Sequence, residues 1–254
     1  MVNPGNLRVV LVATRNPLNI GAAARAMSNL GFLHLRVVNP YEPSFREARS
    51  AVGAEALLAN AEEYQSVADA VADCALVIGT TAVRHREIQH SLLRLEEGAG
   101  LIRADLASER VAILFGSEKV GLSNNDLSHC HWLMRIPTRE EHISMNLGQA
   151  VAICLYELIR DASVDGAKIV TDHEIVNGSH QAMPAAGDLE RLTEVLLSAL
   201  RESGYLGARP PSFIEEKVRR LVLRLNLPAE DVESWLGMMR QILWKLKSGA
   251  PENE

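Results

Sequence analysis

Three short apolar runs constrain the fold of this chain more than any other feature: Arg8 to Ala13 (RVVLVA), Ala75 to Gly79 (ALVIG) and Val111 to Phe115 (VAILF). Each reads as a strand covered on both faces, the pattern of a parallel sheet. After the first run comes NIGAAARAMSNLGF, where Asn19 can cap, Ala22 to Ala26 favour helix and Gly31 is a natural stop. Leu33 to Val38 then returns as a strand, which sets up a β-α-β alternation and an α/β fold with a mostly parallel sheet. Further on, the spacing predicts a helix over Ser44 to Gly53, a link near Ala54 to Ala59 and a helix over Val67 to Ala72. The stretch before Val111 is poorly periodic; a short helix over Asn124 to Ser128 and a strand over Trp132 to Ile136 follow. In such sheets ligands bind outside the carboxyl ends of the strands, so Asn19, Thr80, Gly116 and Ile136 are expected to converge there.

The last strand delivers IPTREEHISMNLGQAVAICLY, a polar loop running straight into an apolar helix. Ser144 and Asn146 are both good N-caps, and Gln149 suits the third position of a capping box begun by Asn146. From Leu147 to Ile159 the apolar residues cover more than one face, so this helix is expected to be buried. Its N-terminal N–H groups and positive dipole end would face whatever occupies the loop.

Two more loops carry candidate chemistry. In Asn19-Ile-Gly-Ala-Ala-Ala-Arg25, Gly21 permits close backbone approach to a ligand, although a plain helix packed through alanines with a solvated Arg25 fits as well. Gly116-Ser-Glu-Lys-Val-Gly121 has two glycines bracketing Glu118 at a strand end and could hold a small polar ligand through backbone N–H groups, or be a simple turn. It is neither the dinucleotide fingerprint nor a P-loop. The 8 histidines lack metal-binding spacing, and Ser144 lacks a nucleophile elbow, so neither metal catalysis nor serine hydrolysis is indicated.

Composition narrows the classes further. A net charge of −6 excludes a protein that coats nucleic acid indiscriminately, so any RNA contact must come from local clusters such as Arg84-His85-Arg86. Cys74, Cys130 and Cys154 are far apart and read as reduced core thiols of a cytosolic protein. No apolar stretch approaches the roughly 18 residues that span a bilayer, so a soluble cytoplasmic protein with no membrane partner is expected. Residues 161–187 lose periodicity and read as a linker, and 188–254 as a small helical domain with helices over Leu189 to Ser203, Pro211 to Leu225 and Ala229 to Leu246. Lys217, Arg219, Arg220 and Arg224 are its cations on the middle helix.

Taken together, NIGAAAR, LFGSEKVGL and IPTREEHISMNLGQAVAICLYEL occur at strand ends in one order and resemble the three signature motifs of the SPOUT superfamily of RNA 2′-O-ribose methyltransferases. The linker and short helical C-terminal domain make the chain similar to the branch acting on cytidine or uridine 32 of tRNA. The resemblance implies a SPOUT fold over residues 1–160 with a C-terminal trefoil knot, S-adenosylmethionine as cofactor, a homodimer, a tRNA substrate and 2′-O-methylation of ribose in the anticodon loop. It implies a catalytic set of Arg25, Asn19, Glu118, Ser144 and Asn146. Cofactor contacts would come from Thr80, Thr81, Ala82, Gly116, Gly121, Ile136, Ile143, Ser144 and Met145. RNA contacts would come from Arg15, Arg84, Arg86, Lys217, Arg220 and Arg224. Two positions depart from the branch: Ser117 stands where an arginine is usual, and Ile143-Ser144-Met145-Asn146 has one hydroxyl fewer than the usual third motif. A ribosomal-RNA ribose methyltransferase, a non-catalytic RNA-binding protein of the same fold and, more distantly, a nicotinamide-dependent oxidoreductase are the rival readings.

Overall fold

The computed structural model describes residues 2–40, 45, 46, 48–82, 89–160, 182–206 and 212–248. Along the chain run β1 (Leu7–Val12), α1 (Pro17–Asn29), β2 (Leu35–Val38), α2 (Glu55–Ala59), β3 (Glu62–Tyr64), α3 (Val67–Val71), β4 (Leu76–Thr80) and β5 (Leu92–Arg94). Then follow α4 (Leu95–Asp105), β6 (Val111–Phe115), α5 (Asn124–Ser128), β7 (Trp132–Arg135), α6 (Leu147–Ile159), α7 (Ala186–Glu202), α8 (Ser212–Arg224) and α9 (Ala229–Ser248). The described strands form one sheet in the order β3-β2-β1-β6-β4-β7-β5, and every neighbouring pair is parallel.

Because successive strand residues point to opposite faces, the sheet builds two cores. Val9, Leu11, Ile78, Ile113 and Phe115 pack with α1, α4 and α6, whereas Val10, Val12, Val77, Ala112 and Leu114 pack with α3 and α5. The three runs that shaped the sequence reading are therefore central strands, buried on both sides.

Several boundaries differ from expectation. α1 begins at Pro17, with Asn16 as its cap: the Asn16 side chain accepts the Leu18 N–H at 3.0 Å, and Pro17 takes a first-turn position where a missing N–H costs nothing. Asn19 therefore lies inside the first turn, its side chain released for tertiary contacts. The helix expected over Ser44 to Gly53 is reduced, among its described residues, to a 3-10 turn at Phe45 and Arg46; the expected link is the helix α2 instead. Ser44 and Glu47 lie outside the described residues. β3 escaped notice because its Glu62-Glu63-Tyr64 is a polar edge with no buried residue. α4 escaped because two of its four buried positions, Gly98 and Ala99, are small, which hides the helical period of Leu95 and Ile102.

α7 opens at Ala186, inside the span read as linker, of which 161–181 lie outside the described residues. α7 to α9 pack around Leu189, Leu192, Val222, Val232 and Leu236, with a second cluster at Leu197, Leu206 and Val218. This helical layer rests on the sheet unit: Ala186 packs into the second core and its N–H donates to the Cys74 carbonyl at 2.8 Å. The three cysteines are buried and free, and no helix among the described residues is long and apolar enough to cross a membrane.

Candidate active site

α6 spans Leu147–Ile159 as its sequence predicts, and the cap is Asn146 rather than Ser144. Asn146 Oδ1 accepts the N–H groups of Gly148 (2.9 Å) and Gln149 (3.4 Å), so its Nδ2 must be a donor elsewhere. It donates to Asn19 Oδ1 at 3.0 Å. That leaves Asn19 Nδ2 to donate, and it meets Glu118 Oε1 at 2.7 Å, while Glu118 Oε2 accepts the Arg15 N–H at 3.3 Å. The helix cap thus dictates the orientation of both amides and requires an acceptor at the far end. Burial pushes the Glu118 carboxyl up, but the hydrogen bonds from Asn19 and from backbone N–H groups outweigh it and hold the carboxyl below its ordinary value. The terminus of the line is an ionised carboxylate, which is the acceptor it needs.

The Gly116 to Gly121 loop folds back on itself. Gly121 N donates to the Ser117 carbonyl at 2.8 Å and adopts φ +71°, and a Cβ on Gly116 would lie 2.1 Å from the Gly121 backbone. Only glycine permits that closure. Ser117 is buried, its hydroxyl accepting the Val120 N–H at 3.4 Å. Gly21 has a different purpose from the one expected: a Cβ there would strike Ser50 Oγ at 2.2 Å, so its close approach is to the 48–51 segment and not to a ligand.

The remaining loops are tied together at the carboxyl ends of β4, β6 and β7. Thr80 Oγ1 donates to the Leu114 carbonyl at 2.8 Å, Thr81 N to Met134 at 3.0 Å, and Thr138 Oγ1 to Ile143 at 3.3 Å. Ile136, Ile143 and Met145 are half-buried there, while Ala82 and Ser144 are exposed. Arg25 is exposed on α1, and six helical residues turn it about 120° away from Asn19. Within one chain it therefore stands apart from the Glu118–Asn19–Asn146 line.

Of the expected RNA-contacting cations, Arg15, Lys217 and Arg224 are exposed, and Arg84 and Arg86 lie outside the described residues. Arg220 is only 9% exposed and faces Glu216 at 3.9 Å, so its guanidinium is turned inward. Arg219 is spent on Glu190 and Ser128. The sequence reading missed Asn16, whose signal was the following Pro17, and missed the Arg219 partners, which no local pattern reveals. No group of three or more metal-ligating side chains occurs among the described residues.

Residues 6–156 match the SpoU rRNA Methylase family. A tRNA (cytidine/uridine-2′-O-)-methyltransferase TrmJ of Sodalis glossinidius is 34% identical over 247 residues, 97% of this chain and 94% of the relative. Among solved structures, TrmJ from Z. mobilis ZM4 superposes with a TM-score of 0.79 at 29% identity, over 92% of this chain and 98% of its own. A probable methylase family protein from Haemophilus influenzae Rd KW20 gives 0.58 at 29% identity, over 98% and 100%. With all three loops inside the matched span, and that span more than half the sequence, this chain belongs to the SpoU rRNA methylase family.

Proposed function

We propose that this protein transfers the methyl group of S-adenosylmethionine to the ribose 2′-OH of a cytidine or uridine in tRNA, at nucleotide 32. The observation that carries this reading is the hydrogen-bonded line from Glu118 through Asn19 to Asn146, which draws one residue from each of the three loops to the carboxyl ends of the strands. The names of the relatives support tRNA over ribosomal RNA as substrate.

The residues at the site fit the cofactor. Half-buried Ile136, Ile143 and Met145 offer an apolar wall to an adenine ring, and the loops 80–82 and 116–121 offer backbone hydrogen-bonding groups. Ionised Glu118 suits a cationic ligand. When bound, S-adenosylmethionine supplies an electrophilic methyl carbon on a positively charged sulfur. The protein's own task is positioning, which can contribute about 7 to 11 kcal/mol to a reaction of two oriented groups. Asn19 and Asn146, with their amides fixed, orient the ribose, and Ser144 offers an exposed hydroxyl to the same side. Arg25 holds an RNA phosphate and the 2′-OH; a guanidinium, already protonated throughout the physiological range, is a poor base, so the 2′-OH proton is relayed by way of the gripped phosphate to solvent water.

Arg25 reaches a site by dimerisation. α1 and α6 pack side by side and expose Leu18, Ile153, Tyr156 and Ile159, with Leu18 54% and Tyr156 56% exposed. Arg25 shares a helical stripe with Leu18, so a second copy seated on this face would bring its Arg25 toward the first copy's loops. β7 enters the sheet between β4 and β5, and the return of the chain through α6 is the segment we assign to a trefoil knot. Residues 1–160 would carry the chemistry and 188–254 would assist tRNA binding through exposed cations such as Lys217 and Arg224, in the cytoplasm where tRNA is processed.

Incubation with labelled S-adenosylmethionine and separate pools of unmodified tRNA and rRNA, followed by nucleoside analysis, tests the reading. Label in 2′-O-methylcytidine or 2′-O-methyluridine from tRNA is expected; label only in rRNA would transfer the assignment to the substrate for which the family is named.

A further inference from the structure

The C-terminal helices grip the sheet unit at one short element. Arg219 on α8 donates from Nε and from the NH2 nitrogen to the two carboxylate oxygens of Glu190 on α7, both at 2.7 Å, and from the NH1 nitrogen to Ser128 Oγ at 2.9 Å. Ser128 donates its own O–H to the Asn125 carbonyl at 2.7 Å, which leaves its oxygen to accept from Arg219. The side chains of Arg219 and Glu190 are 13% and 19% exposed, and His129 beside them is 8% exposed with Nδ1 3.7 Å from Glu190. A planar guanidinium sharing two parallel hydrogen bonds with a carboxylate is geometrically rigid, and partial burial spares it most of the screening that weakens surface pairs.

The element that Arg219 holds is α5, a helix of five residues. A helix this short has no stability of its own, so tertiary contacts set its position. α5 follows the Gly116 to Gly121 loop directly, and its other side presses on the end of β4. A Cβ on Gly79 would lie 3.1 Å from Leu127 Cδ2 on α5 and 2.9 Å from Cys130 Sγ just after it. Gly79 in turn precedes Thr80, whose hydroxyl is bonded to the carbonyl of Leu114 at the end of β6. A shift of α5 therefore displaces both loops, one through the chain and the other through close packing.

We propose that Arg219 and Glu190 are positioning residues for the cofactor site: from the C-terminal helices they fix α5 and, through it, the loops 116–121 and 80–82. The inference rests on the reading of those loops as the cofactor site. It gives the C-terminal helices a role in cis that is separate from any grip on tRNA, and it explains why Arg219 points inward while Lys217 and Arg224 on the same helix point out.

Equilibrium binding of S-adenosylmethionine to the full chain without RNA, read by calorimetry, and amide exchange over residues 116–130 test it. Arg219→Met is expected to weaken cofactor binding about tenfold, the weight of roughly one charge-assisted hydrogen bond, with faster exchange at 122–130. Arg219→Lys should recover part of that loss, and tRNA affinity should change by less than about twofold. Should Arg219→Met fail to fold, Ser128→Ala leaves the ion pair intact and removes the tether together with the Ser128–Asn125 bond within α5, with a loss of about threefold expected. Cofactor affinity and exchange unchanged in a folded Arg219→Met, or in Ser128→Ala, would overturn the proposal. Gly116→Val separates the two layers: if it abolishes cofactor binding while Arg219→Met does not, only this inference fails, and if it leaves binding intact the loop reading falls and takes the inference with it.

Discussion

Two polar networks sit at opposite ends of the sheet and are built on opposite principles. At the amino end, Arg36 on β2 is 4% exposed and spends its guanidinium on Asp73, Glu62 and the Ala70 carbonyl, while Arg110 adds a second contact to Asp73. Burial opposes the Arg36 charge, but the hydrogen bond and charge of Asp73 outweigh it and raise its pKa; the Asp73 carboxyl is held far below its ordinary value by Arg36. Beside them burial pushes the Cys74 thiol up to about 12, so it stays protonated. At the carboxyl end, Glu118, Asn19 and Asn146 form an exposed line of which only Glu118 carries charge. A buried guanidinium whose donors are all turned on its own fold holds that fold together, whereas an exposed line of fixed polarity is placed to meet a ligand.

Breaking each network should separate stability from activity. Arg36→Met leaves Asp73 with Arg110 as its remaining partner and is expected to cost about 1 to 3 kcal/mol in denaturant unfolding, with methyl transfer per folded molecule unchanged. Asn19→Asp sets two carboxylates against each other and should lower kcat/KM about 100-fold, or ~2.7 kcal/mol, in labelled-methyl transfer. Its effect on unfolding should stay below about 1 kcal/mol, because the contact is exposed. If both variants lost stability equally, the contrast between the two ends would collapse.

Asn146 lies between these extremes, since it caps α6, which is buried on one face and exposes Ile153, Tyr156 and Ile159 rather than being buried all round as expected, and it also orients the line. Asn146→Ala is expected to cost about 1 kcal/mol of stability and to lose activity. Asn146→Asp should keep the cap, because a carboxylate also accepts the Gly148 N–H, yet lose activity, because Asn19 must then donate toward residue 146 and turn its oxygen on Glu118. Unfolding and transfer assays on this pair sharpen the division between capping and orientation.

The last expected effect concerns pH. Burial, followed by the charge of Arg219, holds His129 down at about 4 against an ordinary 6.5, with Glu190 and Asp126 opposing. Between those values the unfolded chain binds a proton that the folded chain refuses, so stability is complete above pH 6.5 and falls as pH drops toward 4. Asp73 acts in the same direction at lower pH, losing its contribution as pH falls below its unfolded value of 3.8. A thermal midpoint measured from pH 7.5 to 4 should decline below 6.5, and His129→Asn should remove part of that decline, because burial holds His131 and His90 down at about 4 as well.

Much of the molecule was legible locally. The runs at Leu7–Val12, Leu76–Thr80 and Val111–Phe115 are long enough in apolar residues that only a doubly covered sheet could bury them, and α6 announced itself through Asn146 and its all-round apolar surface. Glu118, Asn19 and Asn146 were recognisable as residue types in three motifs. Tertiary structure alone decided that they form one line, because their separations of 99 and 127 residues leave no local trace of the pairing. It also decided which cation does what: Lys217, Arg219 and Arg220 are close neighbours in sequence, but the surface they meet is set by how α8 lies on α5 and α7. Propensity and period are local properties of a chain; partners across a sheet are a property of the packing that brings distant residues together.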